Sequence, residues 1–94
     1  MKVEIYGIPE DVAKCAGCID SIRICIEYGY DYELIPVLKK SDNELGFEYI
    51  IEKFDECQKR AGLPYRPTSF PRIFVNGRYI GSIKQFKEIY GIHN

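Results

Sequence analysis

Apolar and polar residues fall into short blocks whose period changes along the chain. In "KVEIYG", Val3, Ile5 and Tyr6 form a β-rich run closed by Gly7 and Pro9, which predicts a first strand over residues 2–7. From Cys18 onward the period lengthens. Ile19, Ile22, Cys25 and Ile26 recur at three- and four-residue spacing with Asp20, Arg23 and Glu27 between them, the pattern of an amphipathic helix that Gly29 stops. "DYELIPV" reads as a second strand, with Pro36 marking its end or an edge position. Ser41 to Asn43 offer caps for a second helix. Its stripe runs through Phe47, Ile50, Ile51, Phe54, Cys57 and Ala61 until Gly62 and Pro64 end it.

After the Pro-rich loop "GLPYRPTSFP", the segment "RIFVNGRYIG" predicts two strands joined by Asn76-Gly77, a strong hairpin signal. A last helix follows, with Ile83, Phe86 and Tyr90 on one side and Lys84, Lys87 and Glu88 turned to solvent. The predicted order is β-α-β-α-β-β-α. Helices after the early strands imply right-handed crossovers, so the fold class is α/β, a four-stranded mixed sheet flanked by helices. No repeat or linker divides the 94 residues, which are expected to form one domain over 1–94 with a single core.

Charge and composition remove several classes of function. Lys plus Arg number 13 against 14 Asp plus Glu, so no excess of positive charge points to nucleic acid or to an anionic membrane. The N-terminal stretch lacks the continuous apolar segment of a secretory signal, and no run approaches the roughly 18 to 20 apolar residues of a membrane span. A cytoplasmic location is expected. Four cysteines in a reducing compartment argue against a disulfide scaffold and turn attention to "KCAGCIDSIRICI".

Cys15 falls after a strand and loop, at the N-terminus of the first predicted helix, with Cys18 one turn on. Unpaired backbone N–H groups and the positive end of the helix favour a thiolate at Cys15, and Lys14 adds a neighbouring positive charge. Cys15 is therefore the expected nucleophile. The three-residue spacing puts Cys18 within reach of a mixed disulfide on Cys15, which makes it the expected resolving thiol. A zinc half-site is the main competing reading. It needs two further ligands, whereas Cys25 and Cys57 lie on apolar helix faces and His93 lies near the chain's end. Cys25 and Cys57 are expected to be small core residues, and Arg66 a surface charge.

The strand "KVEIYG", the motif "CAGC" opening a helix and "SFPRIFVNGRYIG" before the last helix together resemble the glutaredoxin family of the thioredoxin-fold superfamily, in an element order spanning nearly the whole chain. The long approach from Tyr6-Gly7 to Lys14-Cys15 looks most like phage-encoded glutaredoxins. The resemblance implies a thioredoxin-like fold and an enzyme of electron transport and redox homeostasis. Such an enzyme reduces protein disulfides and glutathione mixed disulfides through a cysteine pair that passes from dithiol to redox-active disulfide. Glutathione would be the co-substrate, with no tightly bound cofactor and no metal. Ribonucleotide reductase would be one protein client, and glutathione or a thioredoxin-reductase-like enzyme the reductant of a monomer. The resemblance also implies a cis Phe70-Pro71 bond beside the cysteines, leaving the Phe70 backbone to pair with an extended substrate. Gly81, Ser82 and Ile83 take the place of the family's Gly-Gly and following helix start, where N–H groups hold the glutamyl carboxylate of glutathione.

Two departures stand out. Ala16-Gly17 replaces the Pro-Tyr of familiar glutaredoxins, and Gly17 lowers local helix propensity by about 1 kcal/mol relative to Ala. Lys84 stands where the family commonly has an acidic residue facing the glutamyl amino group. Two other functions stay open on the same resemblance. One is an iron–sulfur carrier holding a cluster through the first cysteine and glutathione, since the discouraging Pro of the motif is missing. The other is a non-catalytic peptide-binding module using the proline-edge groove.

Overall fold

Strand β1 (Lys2–Gly7) sends its side chains alternately into two apolar cores. Val3 and Ile5 join Ile24, Cys25, Ile73, Val75, Phe86 and Ile92 on one face, and Tyr6 joins Ile35, Val37, Leu38, Phe54, Cys57 and Phe74 on the other. The computed structural model describes residues 1–93, so Asn94, the last residue of the expected domain, lies outside the described residues. Helix α1 (Ala16–Tyr28) leads to strand β2 (Asp31–Pro36), which pairs parallel with β1. Two short strands, β3 (Leu38–Lys40) and β4 (Phe47–Tyr49), precede helix α2 (Ile51–Ala61). The chain ends with β5 (Arg72–Val75), β6 (Arg78–Gly81) and helix α3 (Ile83–Tyr90). The main sheet has the order β2-β1-β5-β6, with β5 antiparallel to both β1 and β6. This is the expected mixed four-stranded α/β sheet with helices on both faces. Asn76 and Gly77, both at positive φ, turn β5 into β6 where the hairpin was predicted.

The second helix departs from expectation. It starts at Ile51 rather than after Ser41–Asn43, and residues 38–49 form a separate two-stranded hairpin, with Leu38 opposite Tyr49 and Lys40 opposite Phe47. The polar residues read as helix caps close the hairpin loop instead. Ser41 N–H donates to the Gly46 carbonyl, Gly46 N–H to Asn43 Oδ1 at 2.9 Å, and Asn43 Nδ2 to the Phe47 carbonyl at 2.9 Å. Gly46 at φ +81 completes a turn that a helix would not tolerate there. Phe47 fits both periods, since it is three residues before Ile50 and two before Tyr49.

The face of α1 also differs. Cys18, Ser21, Ile24 and Cys25 are its buried residues, whereas Ile26, expected on the apolar stripe, is 64% exposed. Ser21 is tolerated in the core because its hydroxyl donates to the Gly17 carbonyl at 2.7 Å. Lys87, expected to face solvent, is half-buried and pairs with Asp20 at 2.9 Å, tying α3 to α1.

Across the opposite face, α2 is tied to the sheet by Arg60. Its guanidinium donates to both carboxylate oxygens of Glu4, at 2.8 and 3.1 Å, and to the Tyr6 hydroxyl at 3.0 Å, and it stacks 4.2 Å over the Phe74 ring. Tyr6 in turn donates to Glu56. Burial, reinforced by Glu56, pushes the Tyr6 phenol up to about 12, so it stays a neutral donor. The hydrogen bond from Arg60 holds the Glu4 carboxyl below its usual range, and that from Tyr6 does the same for Glu56. Carboxyls depressed in the folded state contribute stability above their unfolded pKa and lose it as pH falls through the folded value. Arg60→Met should therefore lower stability by roughly 1–2 kcal/mol at pH 7. The deficit should shrink as the pH falls below about 4, as urea midpoints at pH 7 and pH 3 would show.

Candidate active site

Cys15 takes the N-cap position of α1 with extended backbone, φ −128° and ψ 101°, and its sulfur accepts the Cys18 N–H at 3.3 Å. Sulfur here does the work usually done by a Ser, Thr or Asp oxygen at a helix start. Cys15 and Cys18 are joined as a disulfide, their Cα atoms 5.3 Å apart, within the usual span of a bridge. The two sulfurs have unlike surroundings. Cys15 is half-buried, whereas Cys18 is 1% exposed. Cys18 sits behind Cys15 with its sulfur accepting the Ile8 N–H at 3.4 Å.

The loop before β5 closes over this pair. The Phe70-Pro71 peptide is cis, as the resemblance implies, and the Phe70 carbonyl oxygen lies 3.9 Å from Cys15 Sγ. Pairing of β5 with β1 begins at Arg72, opposite Tyr6, so Phe70 lies outside that ladder. Arg72 pins the loop from behind. Its guanidinium donates to the Ser69 carbonyl at 2.8 Å, the Ser69 hydroxyl at 2.9 Å and the Tyr79 hydroxyl at 2.9 Å.

The structure thus brings Cys15, Cys18, Phe70 and Pro71 together. Lys14 and Ile83 line a shallow depression with Ala16, Gly17 and Ile19. Gly81 is buried at φ +119, and Ser82 caps α3. That cap is already engaged. The Ser82 hydroxyl accepts the Gln85 N–H, and Gln85 Oε1 accepts the Ser82 N–H at 3.0 Å. Lys14 and Lys84 are exposed, and among the described residues no hydrogen bond or ion pair links either to the cysteines. Arg66 pairs with Asp55 at 2.8 Å on the surface, as expected of a surface charge. Tyr6 is a core residue and Tyr65 is 65% exposed.

Cys25 and Cys57 are fully buried in the two separate cores. Burial pushes each thiol up to about 11, against the weaker pull of Arg72 and Arg60 on Cys57. Among the described residues no group of three or more His, Cys, Asp or Glu is placed to hold a metal ion.

Solved structures of similar architecture include three glutaredoxins. Glutaredoxin 1 from Francisella tularensis, complexed with cacodylate, superposes with a TM-score of 0.65 at 18% identity, over 96% of this chain and 92% of its own. A buckwheat glutaredoxin–glutathione complex gives 0.61 at 16% identity, over 96% and 70%. Glutaredoxin from Brucella melitensis gives 0.59 at 21% identity, over 96% and 78%. In sequence, the chain is 32% identical over 87 residues to an uncharacterized 11.8 kDa protein of the Gp55-nrdG intergenic region of Enterobacteria phage T4. The match covers 93% of this chain and 82% of the phage protein. The chain belongs to that phage protein's family and has the glutaredoxin fold. No family model matches it. The cis Phe70-Pro71 bond that the resemblance implies lies beside the Cys15–Cys18 pair in this chain.

Several residues that shape this site were not singled out by their chemistry. Arg72 gives no local signal, because its partners Ser69 and Tyr79 come together only through the turn before β5 and the β5–β6 hairpin, whereas Ser82-x-x-Gln85 is a capping-box pattern that could have been read from the sequence. The two glycines carried a signal that has a different meaning from the one first read. A Cβ on Gly7 would lie 3.0 Å from Cys18 Sγ and 3.3 Å from Leu34 Cδ1. A Cβ on Gly17 would lie 2.9 Å from Pro71 Cδ and 3.6 Å from Ile83 Cγ2. Gly17 therefore admits the proline ring against the first turn of α1, whatever freedom it also lends the helix. Two effects oppose each other in Gly17→Ala: helix propensity gains at most about 1 kcal/mol, and crowding costs roughly 1–3 kcal/mol. Gly17→Ala should lose up to about 2 kcal/mol net, read as a lower denaturant midpoint at unchanged slope.

Proposed function

We propose that this chain is a dithiol–disulfide oxidoreductase acting on protein disulfides and glutathione mixed disulfides through Cys15 and Cys18. The observation that carries the reading is the unequal setting of the two sulfurs. Cys15 is half-buried and its Sγ accepts an N–H at the start of α1, while Cys18, 1% exposed, lies behind it. Helix N-termini favour the thiolate, and the thiolate is the nucleophile.

In the reaction, the Cys15 thiolate attacks one sulfur of the client disulfide. The client S–S bond breaks, a Cys15–client mixed disulfide forms, and the departing client sulfur takes a proton from solvent. Cys18 then loses its proton and attacks Cys15 Sγ, forming the Cys15–Cys18 bridge and releasing the second client thiol. Two electrons and two protons have passed to the client. Two molecules of glutathione, or a thioredoxin-reductase-like enzyme, supply them back. The Phe70 backbone is the edge on which an extended client lies, with Pro71 removing a competing N–H. Gly81, Ser82 and Ile83 offer the start of α3 to the glutamyl carboxylate of glutathione.

Glutathione as co-substrate is supported by the buckwheat complex of the same fold. Ribonucleotide reductase as a client is supported by the position of the phage relative beside nrdG. The protein works as a monomer in a reducing, cytoplasmic compartment. Among the described residues no helix is long and apolar enough to cross a membrane.

Iodoacetamide at pH 7 should modify Cys15 of the reduced protein first, leaving Cys25 and Cys57 untouched behind their raised pKa values. Cys18→Ser should accumulate mixed disulfides on Cys15, and Cys15→Ser should be inactive. Equal labelling of Cys15, Cys25 and Cys57, or oxidoreductase activity surviving in Cys15→Ser, would sink this assignment of roles.

Lys84 follows Ile83 in α3 and is exposed, so it meets the glutamyl end of glutathione as an unshielded cation. It repels the amino group and attracts the α-carboxylate, each effect worth about 0–1 kcal/mol near the surface. Because the carboxylate has to displace Gln85 from the Ser82 N–H, it is held less firmly there, and repulsion of the amino group outweighs its attraction. Lys84→Asp should lower the Michaelis constant for glutathione several-fold with Cys15 alkylation rates unchanged. A raised constant would make Lys84 a carboxylate ligand.

A further inference from the structure

We propose that the apolar groove beside the Cys15–Cys18 bridge is a subsite for one bulky apolar side chain of an extended protein client, and that it separates such clients from glutathione. The inference rests on the dithiol reading above and adds the class of client to it.

The groove has a volume of about 330 Å³, at the small end of ligand pockets and enough for a single large side chain. Two of its walls belong to the redox site. Phe70 lines it, and the same residue's carbonyl oxygen lies 3.9 Å from Cys15 Sγ. Ile8 lines it as well, and its N–H meets Cys18 Sγ at 3.4 Å. A client bonded to Cys15 and lying along the Phe70 backbone therefore has a neighbouring side chain at the groove's mouth. Strand-like binding points alternate side chains to one side, which suits a single pocket of this kind.

The other walls come from the β3–β4 hairpin and α2, the region in which the structure departs from the predicted element order. Tyr49 packs edge-on against Phe54 at 5.7 Å, and Phe54 edge-on against Phe70 at 5.3 Å, so a row of rings leads from the hairpin to the cis proline. Tyr49 is 57% exposed and Ile51 44% exposed at the mouth. Single exposed apolar side chains are ordinary, but these two converge on one cavity. At the rim the charge of Arg66 is matched by Asp55, 2.8 Å away, so the groove offers no net charge to a carboxylate. Glutathione has charged ends and no bulky apolar side chain, and leaves the groove filled with water. A client with Phe, Leu or Ile near its cysteine dehydrates it.

The test uses peptide disulfides of Ser-Gly background in which one Phe is moved through the three positions on either side of the cysteine, with the Phe-free peptide as reference. At one or more positions Phe should raise kcat/KM about tenfold over that reference. The ratio should fall toward one in Tyr49→Ser/Ile51→Ser, whose residues are both exposed, and in Thr68→Trp, which fills the groove from its exposed lining position. Equal kcat/KM across all positions, or a preference that survives both variants, overturns the subsite. A protein that reduces none of the peptides would refute the dithiol reading instead. The groove is then judged by amide NMR shifts of Tyr49, Ile51 and Phe54 on adding the best Phe peptide with its cysteine changed to Ser. Shifts confined to those residues keep the subsite, and their absence overturns it.

Discussion

Strand β1 is confined between two apolar cores, and the confinement sets where both sulfurs lie. Val3 and Ile5 are locked into one core and Tyr6 into the other, so the strand cannot slide or tilt without opening one of them. Its last residue, Gly7, meets the Cys18 sulfur, and the next N–H, from Ile8, donates to it. Its other neighbour, β5, is registered by the pairing of Tyr6 with Arg72, which places Pro71 one residue beyond the ladder. The first turn of α1 is thus held between the end of β1 and the proline ring, with glycines at both close approaches. A side chain at either glycine would press on the sulfur or on the proline.

Most of this scaffold was legible because strong local patterns agreed with the global fold. "KVEIYG", Asn76-Gly77 and the glycine stops at Gly29 and Gly62 announce elements whose ends are set by backbone geometry, and both glycines cap their helices at φ +69. The β3–β4 hairpin was not legible, since Phe47 satisfies a helical and an alternating period at once, and Ser41 to Asn43 suit a helix cap and a tight turn equally. Only Gly46, inside the supposed helix, argued against it. The register of α1 failed for another reason. A search for apolar residues passes over Ser21, whose burial depends on a hydrogen bond to the Gly17 carbonyl, and counts Ile26, which no neighbouring element covers. At the site, Cys15, Cys18 and Pro71 could be named from spacing and resemblance. The loop clamp by Arg72 depends on contacts formed only after folding, whereas the cap by Gln85 follows the local Ser-x-x-Gln pattern of a capping box.

The four thiols show how strongly placement outweighs residue type. Cys25 and Cys57 are small apolar groups within packed cores, where desolvation disfavours the thiolate and pushes both to about 11. Nearby Arg60 and Arg72 pull Cys57 the other way and are outweighed. Cys15 has different surroundings, a helix start with an N–H aimed at its sulfur and only partial burial. The two buried thiols also lie on opposite faces of the sheet, one in each core, so a zinc site would need both cores to open before it could gather four sulfurs.

The start of α3 presents a different balance. A helix N-terminus attracts anions because its first N–H groups lack intrahelical partners, yet here Gln85 reaches back to one of them at 3.0 Å. An arriving carboxylate has to displace that neutral oxygen. A hydrogen bond to a charged acceptor is worth roughly 1.5–3 kcal/mol net and a neutral one about 0.5–1.5 kcal/mol, so the exchange still favours the carboxylate, but by only about half of what an open cap would give. Under the proposed oxidoreductase function, selection among substrates at this end of the site is correspondingly weak. Discrimination then falls to contacts made elsewhere on the client, and the apolar surface of the β3–β4 hairpin lies on the side of the cysteines where the chain departs furthest from the expected element order.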